Sequence, residues 1–357
     1  MHRTLARPLL AVLLLLSLAE LIGRLDRYAP DDLGYFLASG RAFADGLNPY
    51  TNEPGYNVNP PLLLYPFRWL AALGHDTAHL ALKLASVGLY AGTCAMLLRR
   101  FPEHRTPLKV LWLAVLGGFW HTLYQGQIYM FLVTPATAAF LLLGWRPILA
   151  GVLIGLVIAI KPNLAVWPLF LLLSGQQRPA LTAGVTAGAL TLLPLPFVGL
   201  EAYSQYVTMV MDIESVARYG NSSLPAALAG FGISGIDWLV ALAVILPLAF
   251  IVWRVKPSPY DVSALAVCAA LLASPYTWPS YLLFLLPVLL LRRWHRPEEV
   301  VAVLLALSFW LTLDKFVGLA YFAALLIVLG VVLVPLVRRP TRTASASRSS
   351  AATSLSL

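Results

Sequence analysis

Long stretches of this chain carry neither charge nor alternation of polar and apolar positions. Leu9–Leu18, Val110–Phe119, Leu239–Trp253 and Ala320–Val337 are apolar almost without interruption. About 20 such residues span the roughly 30 Å of a bilayer's hydrocarbon core. A backbone in that medium must satisfy its own hydrogen bonds, which makes these segments helices, and the missing period-2 alternation excludes a β-barrel. The pattern predicts helices near 5–23, 78–98, 109–120, 126–144, 148–160, 163–175, 180–199, 236–253, 261–274, 280–291, 298–313 and 317–336. The expected fold class is therefore an all-α integral membrane protein of about 12 transmembrane helices.

Two polar-rich segments interrupt the pattern, about 24–77 and about 200–235. The first is too aromatic for a disordered loop, with Tyr35, Phe36, Phe43, Tyr50, Tyr65, Phe67 and Trp69. Within it, Asp32–Asp45 and Pro61–Leu73 read as interfacial amphipathic helices, the second begun by the Pro60-Pro61 pair. The windows 148–160 and 163–175 reach only about 20 Å each at 1.5 Å per residue. Their joint, Lys161-Pro162-Asn163, is thus expected below the outer surface. The same is expected of the turns Trp120–Gln127 and Ser274–Ser280. Three sunken turns would floor a cavity roofed by the first loop, since irregular backbone at that depth must be enclosed by protein or line a water-filled space.

Charge adds orientation. Only 11% of the 357 residues are charged, 59% are hydrophobic, and mean hydropathy is +0.78. Most basic residues, including Arg99, Arg100, Arg105, Lys109, Arg146, Arg178, Arg254, Lys256 and Arg338, fall on the side of the two termini. That side is cytoplasmic by the positive-inside rule. The net charge of +9 is then a topology signal, and no nucleic-acid partner is implied. Residues 1–339 read as one transmembrane domain, and Pro340–Leu357, rich in Ser, Ala and Thr, as a disordered cytoplasmic tail. The first helix resembles a signal peptide but is expected to be retained. Cys94 and Cys268 have no neighbour at metal or disulfide spacing and read as small buried hydrophobes.

Lys161 is the sharpest single residue. An ionisable group at membrane depth is costly and functional by default, and a cation there suits an anionic group such as a lipid phosphate. The competing reading is a lysine snorkelling to the interface. Gln127 and His121 are placed to hydrogen-bond a sugar or a phosphate. A flippase or transporter of a lipid-linked sugar could use such a cavity, and a scaffold subunit is a third reading. Yet the chain has no internal repeat and no acidic relay within its helices, and its polar residues gather on one face.

At these positions the sequence resembles glycosyltransferase family 87, multi-helix mannosyltransferases that take their sugar from a polyprenyl-phosphate donor. The matching features run Asp32…Phe36…Gly46…Pro49-Tyr50, Pro60-Pro61, Pro66, Gly126-Gln127, Gly151…Lys161-Pro162, Asn221-Ser222-Ser223-Leu224 and Ser274-Pro275…Trp278. Two positions depart from the family pattern: Asn59 replaces an aromatic, and Ser280 replaces a histidine. The resemblance implies a GT-C-like fold of the lipid-linked-donor class and an inverting transfer to a glycolipid or glycan acceptor on the outer face. It makes Asp32 the general base, with Asp31 as the alternative; an N-cap role is the competing reading for either. Lys161, Arg218 and Gln127 would hold the donor phosphate. Tyr50, Asn59, Tyr65, His121, Asn221 and Trp278 would line the sugar and acceptor sites. No cofactor is implied, no metal ligand is assigned, and the other partners are membrane lipids.

Overall fold

The computed structural model describes residues 2–23, 31–51, 58–211, 220–291, 295–307 and 314–338. Every regular element among them is helical. In chain order they are α1 (His2–Gly23), α2 (Asp31–Ala44), α3 (Leu64–Ala72), α4 (His75–Arg100), α5 (Pro107–Ala114), α6 (Gly117–Gln125), α7 (Met130–Leu142), α8 (Pro147–Ile160) and α9 (Val166–Leu173). There follow α10 (Gln177–Leu192), α11 (Leu195–Met211), α12 (Leu224–Ala229), α13 (Asp237–Val255), α14 (Pro259–Ala273), α15 (Leu286–Leu290), α16 (Arg296–Leu307) and α17 (Asp314–Val337). Short 3₁₀ stretches at Pro61–Leu63, Pro162–Ala165 and Pro279–Leu285 precede α3, α9 and α15, each opened by a proline whose missing N–H costs nothing at a helix start.

Among the described residues, α4, α13 and residues 318–337 of α17 are long and apolar enough to cross a membrane singly. α10 and α11 pass together but are bent by 93°. The remaining apolar helices, including α7, α8 and α14, are shorter. At the centre stands α14, in which every residue from Asp261 to Ala273 is buried. An α-helix apolar on all sides belongs in the interior, and α9, α13 and α17 pack around it. Against α10, α8 lies unusually close. A Cβ on Gly151 would stand 2.6 Å from the Pro179 carbonyl oxygen, and one on Gly155 2.6 Å from that of Ala183.

The hydropathy reading needs three corrections. The expected 109–120 helix is two, α5 and α6, broken at Val115-Leu116, where Gly118 lets the chain approach the Pro279 carbonyl. The expected turn Trp120–Gln127 is helical through Gln125: the Trp120 indole donates to the Ala114 carbonyl, so its polar residues find partners inside the fold. The expected 180–199 helix ends at Leu192. The chain turns at Leu193-Pro194 and continues as α11, kinked at Gly199 (φ 79°), so part of the second polar segment is helix. The helices expected within the first polar segment are present as α2 and α3. The expected tail lies outside the described residues.

α2 and α3 form a hairpin with its own small core. Phe36 stacks on Phe67 at 4.6 Å, and Leu33, Leu37 and Leu63 close around them. Gly40 is what permits the contact: a Cβ there would lie 2.2 Å from the Phe67 carbonyl oxygen. The same cluster takes in Ala78 and Leu82 of α4 and Ile128, with Ile160 packed against it. Ile160 also packs on the main core. The hairpin is thereby seated on the 126–129 turn and on the end of α8.

Candidate functional site

The seat of the hairpin brings together residues far apart in sequence. α8 ends at Ile160 because the following Lys161-Pro162 pair cannot continue it: a proline disfavours the α conformation of the residue before it. Lys161 adopts φ −129°, ψ 82° and caps the helix through its N–H to the Val157 carbonyl. A cation suits this end of a helix, where the macrodipole is negative. Its ammonium hydrogen-bonds the Tyr281 hydroxyl at 3.3 Å. It also lies 5.2 Å from the centre of the Tyr129 ring and 5.3 Å from that of Tyr281. The two rings are 4.7 Å apart and tilted by 55°.

Gly126 ends α6 in the left-handed region (φ 63°, ψ 37°), and the Gln127 N–H turns back to the Thr122 carbonyl. That reversal directs the Gln127 side-chain amide to Asp32, to whose carboxylate it donates. Asp32 sits in the first turn of α2, at the positive end of the helix dipole. Tyr129, two residues after Gln127, is close enough to feel the Asp32 charge, and its side chain bonds that of Tyr281. Asp32, Gln127 and Lys161 thus meet around a tyrosine pair. Two of the three turns expected to be sunken contribute directly, and Tyr281 immediately follows the third. Arg218 lies outside the described residues, as does the side chain of Asp31.

The predicted sugar and acceptor residues divide into two groups. Tyr50 and Asn59 join where the hairpin meets α11: the Tyr50 hydroxyl donates to the Asn59 carbonyl at 2.9 Å, and its ring faces Tyr206 at 5.6 Å. Burial first, then the phenols of Tyr206 and Tyr203, push the Tyr50 pKa above the usual phenol range. Tyr65 packs edge-on against Phe43 and Phe197, at 5.3 and 6.0 Å. Tyr206 is in turn an electrostatic neighbour of Tyr281, which connects this patch to the lysine.

His121, Asn221 and Trp278 gather instead at the Ser274–Ser280 turn. His121 Nδ1 lies 2.6 Å from the Ser280 hydroxyl, and Trp278 stacks on Tyr276 at 5.8 Å. The Asn221 side-chain oxygen accepts from the Thr277 and Ser223 N–H groups (2.9 and 3.2 Å), while its amide donates to the Pro275 carbonyl (2.9 Å). Both lone pairs of that oxygen are therefore occupied, and the residue braces the turn. The Ser222 N–H adds a backbone bond to the Thr277 carbonyl at 2.8 Å.

Sequence reasoning passed over Tyr129, Tyr203, Tyr206 and Tyr281. Tyrosines are common at the interfaces of any membrane protein, so residue type alone does not single them out. Tyr129 did carry a signal, two positions after Gly126-Gln127. Among the described residues no cluster of three His, Cys, Asp or Glu side chains could hold a metal ion.

Residues 57–275 match the profile of glycosyltransferase family 87. The chain is also similar to a polyprenol-phosphate-mannose-dependent alpha-(1-2)-phosphatidylinositol mannoside mannosyltransferase of Mycobacterium tuberculosis, with 29% identity over 289 residues. That alignment covers 72% of this chain and 66% of the relative, just under two thirds of its length. No solved structure matches the chain. Gln127, Tyr129, Lys161 and Asn221 fall inside the family span, whereas Asp32 precedes it and Trp278, Ser280 and Tyr281 follow it.

Proposed function

The chain belongs to glycosyltransferase family 87, and on that premise we propose that it is an inverting membrane mannosyltransferase. It takes the sugar from a polyprenyl-phosphate donor and passes it to a glycolipid or glycan acceptor on the outer face. The observation that carries this reading is the meeting of the Asp32 carboxylate, the Gln127 amide and the Lys161 ammonium around Tyr129 and Tyr281. The donor named for the mycobacterial relative is of the same class. The full reading includes a GT-C-like arrangement of about 12 spans in one domain, with both termini cytoplasmic and the α2–α3 hairpin roofing the site.

In this mechanism the acceptor hydroxyl gives its proton to Asp32. Its oxygen forms a bond to the anomeric carbon as the bond from that carbon to the phosphate oxygen breaks, inverting the centre. The phosphodiester leaves as a phosphomonoester and gains a negative charge, which the Lys161 ammonium stabilises where it develops. Gln127 orients the Asp32 carboxylate without taking its charge. Tyr50, Tyr65 and Asn59 at the hairpin, and His121 and Trp278 at the Ser274–Ser280 turn, offer aromatic faces and polar groups to sugar and acceptor.

The test is Asp32→Asn in lipid nanodiscs, with labelled-mannose transfer and donor binding measured on the same sample. Base catalysis contributes about 10²–10⁴-fold, so transfer should fall by that factor while the donor still binds. Undiminished transfer in Asp32→Asn, Asp31→Asn and the double variant would remove the base from this hairpin.

A further inference from the structure

A lysine on a long flexible stem is a poor fixed charge unless something holds it, and holding it with a carboxylate would cancel the charge a phosphate needs. Here the Lys161 ammonium lies within cation–π range of two tyrosine faces, at 5.2 and 5.3 Å, and hydrogen-bonds one neutral hydroxyl. We propose that Tyr129 and Tyr281 are positioning residues that aim the Lys161 ammonium at the phosphate of a polyprenyl-phosphate lipid, Tyr281 through its hydroxyl and ring and Tyr129 through its ring.

Three observations converge on this. First, the holders are themselves fixed: Tyr129 is 2% and Tyr281 7% exposed, and their rings brace each other at 4.7 Å. Second, they come from independent segments, the residue before α7 and the Pro279–Leu285 stretch, whereas Lys161 comes from the end of α8. A lysine merely reaching for an interface would not need both. Third, neither holder carries a charge. The ammonium has three N–H groups and spends one on Tyr281, so two remain for anionic oxygens. Tyr129 also stands in the field of Asp32, so one of the two holders neighbours the proposed base.

The inference rests on the donor class proposed above, and its test reads binding separately from transfer. The probes are polyprenyl monophosphate and the uncharged polyprenol, titrated against the full chain in nanodiscs. The wild-type chain should prefer the phosphate form by at least about tenfold, one order being 1.4 kcal/mol. Lys161→Ala should erase that preference. Tyr281→Phe, which keeps the ring and loses the hydroxyl, should lower it a few-fold, and Tyr281→Leu or Tyr129→Leu should lower it most of the way. In the Lys161→Ala background the tyrosine substitutions should change nothing further, because a positioning role acts through the lysine.

Phosphate preference surviving both leucine variants would overturn the proposal. So would equal losses of phosphate binding from the tyrosine substitutions with and without Lys161, which would mark a general packing role. Tyr281→Phe keeps the test decisive if a leucine variant does not fold. Preference without sugar transfer would refute the enzymatic reading alone, and transfer with preference indifferent to the tyrosines would refute the positioning alone.

Discussion

Two glycines on one helix offer a sharp test of how the site is built. Gly40 of α2 faces the backbone of α3, and a Cβ there would stand 2.2 Å from the Phe67 carbonyl oxygen and 2.7 Å from the Arg68 nitrogen. Neither atom can rotate aside as a side chain could. Relief to an ordinary contact requires α2 and α3 to part by roughly 1 Å. Overpacking of this kind typically costs about 1–3 kcal/mol. The same displacement carries Asp32 at the start of α2, and a misplacement of about 1 Å can cost on the order of 10²-fold in rate. Gly34, on the same helix, has nothing within 4 Å of its would-be Cβ. Gly34→Ala should therefore stabilise α2 by about 1 kcal/mol through helix propensity alone. Gly40→Ala should melt earlier than the unsubstituted protein and transfer mannose about 10²-fold more slowly, whereas Gly34→Ala should do neither. The measurements are thermal unfolding and single-turnover transfer on purified protein. Wild-type melting and transfer in Gly40→Ala would refute the claim that the hairpin's close packing sets the position of the base.

Other consequences are independently checkable. Asn221→Leu strands the Thr277 and Ser223 N–H groups and leaves the Pro275 carbonyl only its bond from the Ser223 hydroxyl. At about 1–3 kcal/mol per unsatisfied buried group, the loss should be roughly 2 kcal/mol or more, seen as a large drop in melting temperature. Asn221→Asp keeps the acceptor and should cost less. Gly126→Ala forces a side chain into the left-handed region, at about 1–2 kcal/mol. Because it disturbs the residue before Gln127, transfer should fall further than unfolding accounts for. A reporter fused after Arg342 should read cytoplasmic and one inserted near Asn52 external; the same side for both would break the proposed topology.

Hydropathy located α13 and α17 because each is a long, nearly unbroken apolar run, and α4 because its apolar stretch is long enough to carry Lys83; such runs have one solution in hydrocarbon. The end of α8 was equally legible, since Lys161-Pro162 is a chemical stop. The bend between α10 and α11 was not: the run stays apolar from Leu192 to Val198, and hydropathy is blind to direction. Pro194 and Pro196 were the available signal. The polar residues of Trp120–Gln127 suggested a loop, yet Trp120 and His121 spend their polar atoms on Ala114 and Ser280 inside the fold. Within the site, a charge at membrane depth made Lys161 conspicuous, and the family resemblance pointed to Asp32. Their meeting depends on the apolar seat of Ile128 and Ile160, which no spacing along the chain encodes.

The burial of α14 also bears on how this sequence can drift. Along α13, Trp238, Leu242, Leu246, Phe250 and Trp253 face outward, and any apolar residue of any size can replace them there. α14 has no such side. Ala264, Ala266, Ala269 and Ala270 are small because neighbours press from every direction, and a single added methylene is felt in a close-packed interior. Tolerance to substitution should oscillate along α13 with the helical repeat and stay flat and low along α14. Two segments that hydropathy cannot tell apart are under opposite constraints: one need only be greasy, the other must be one particular shape.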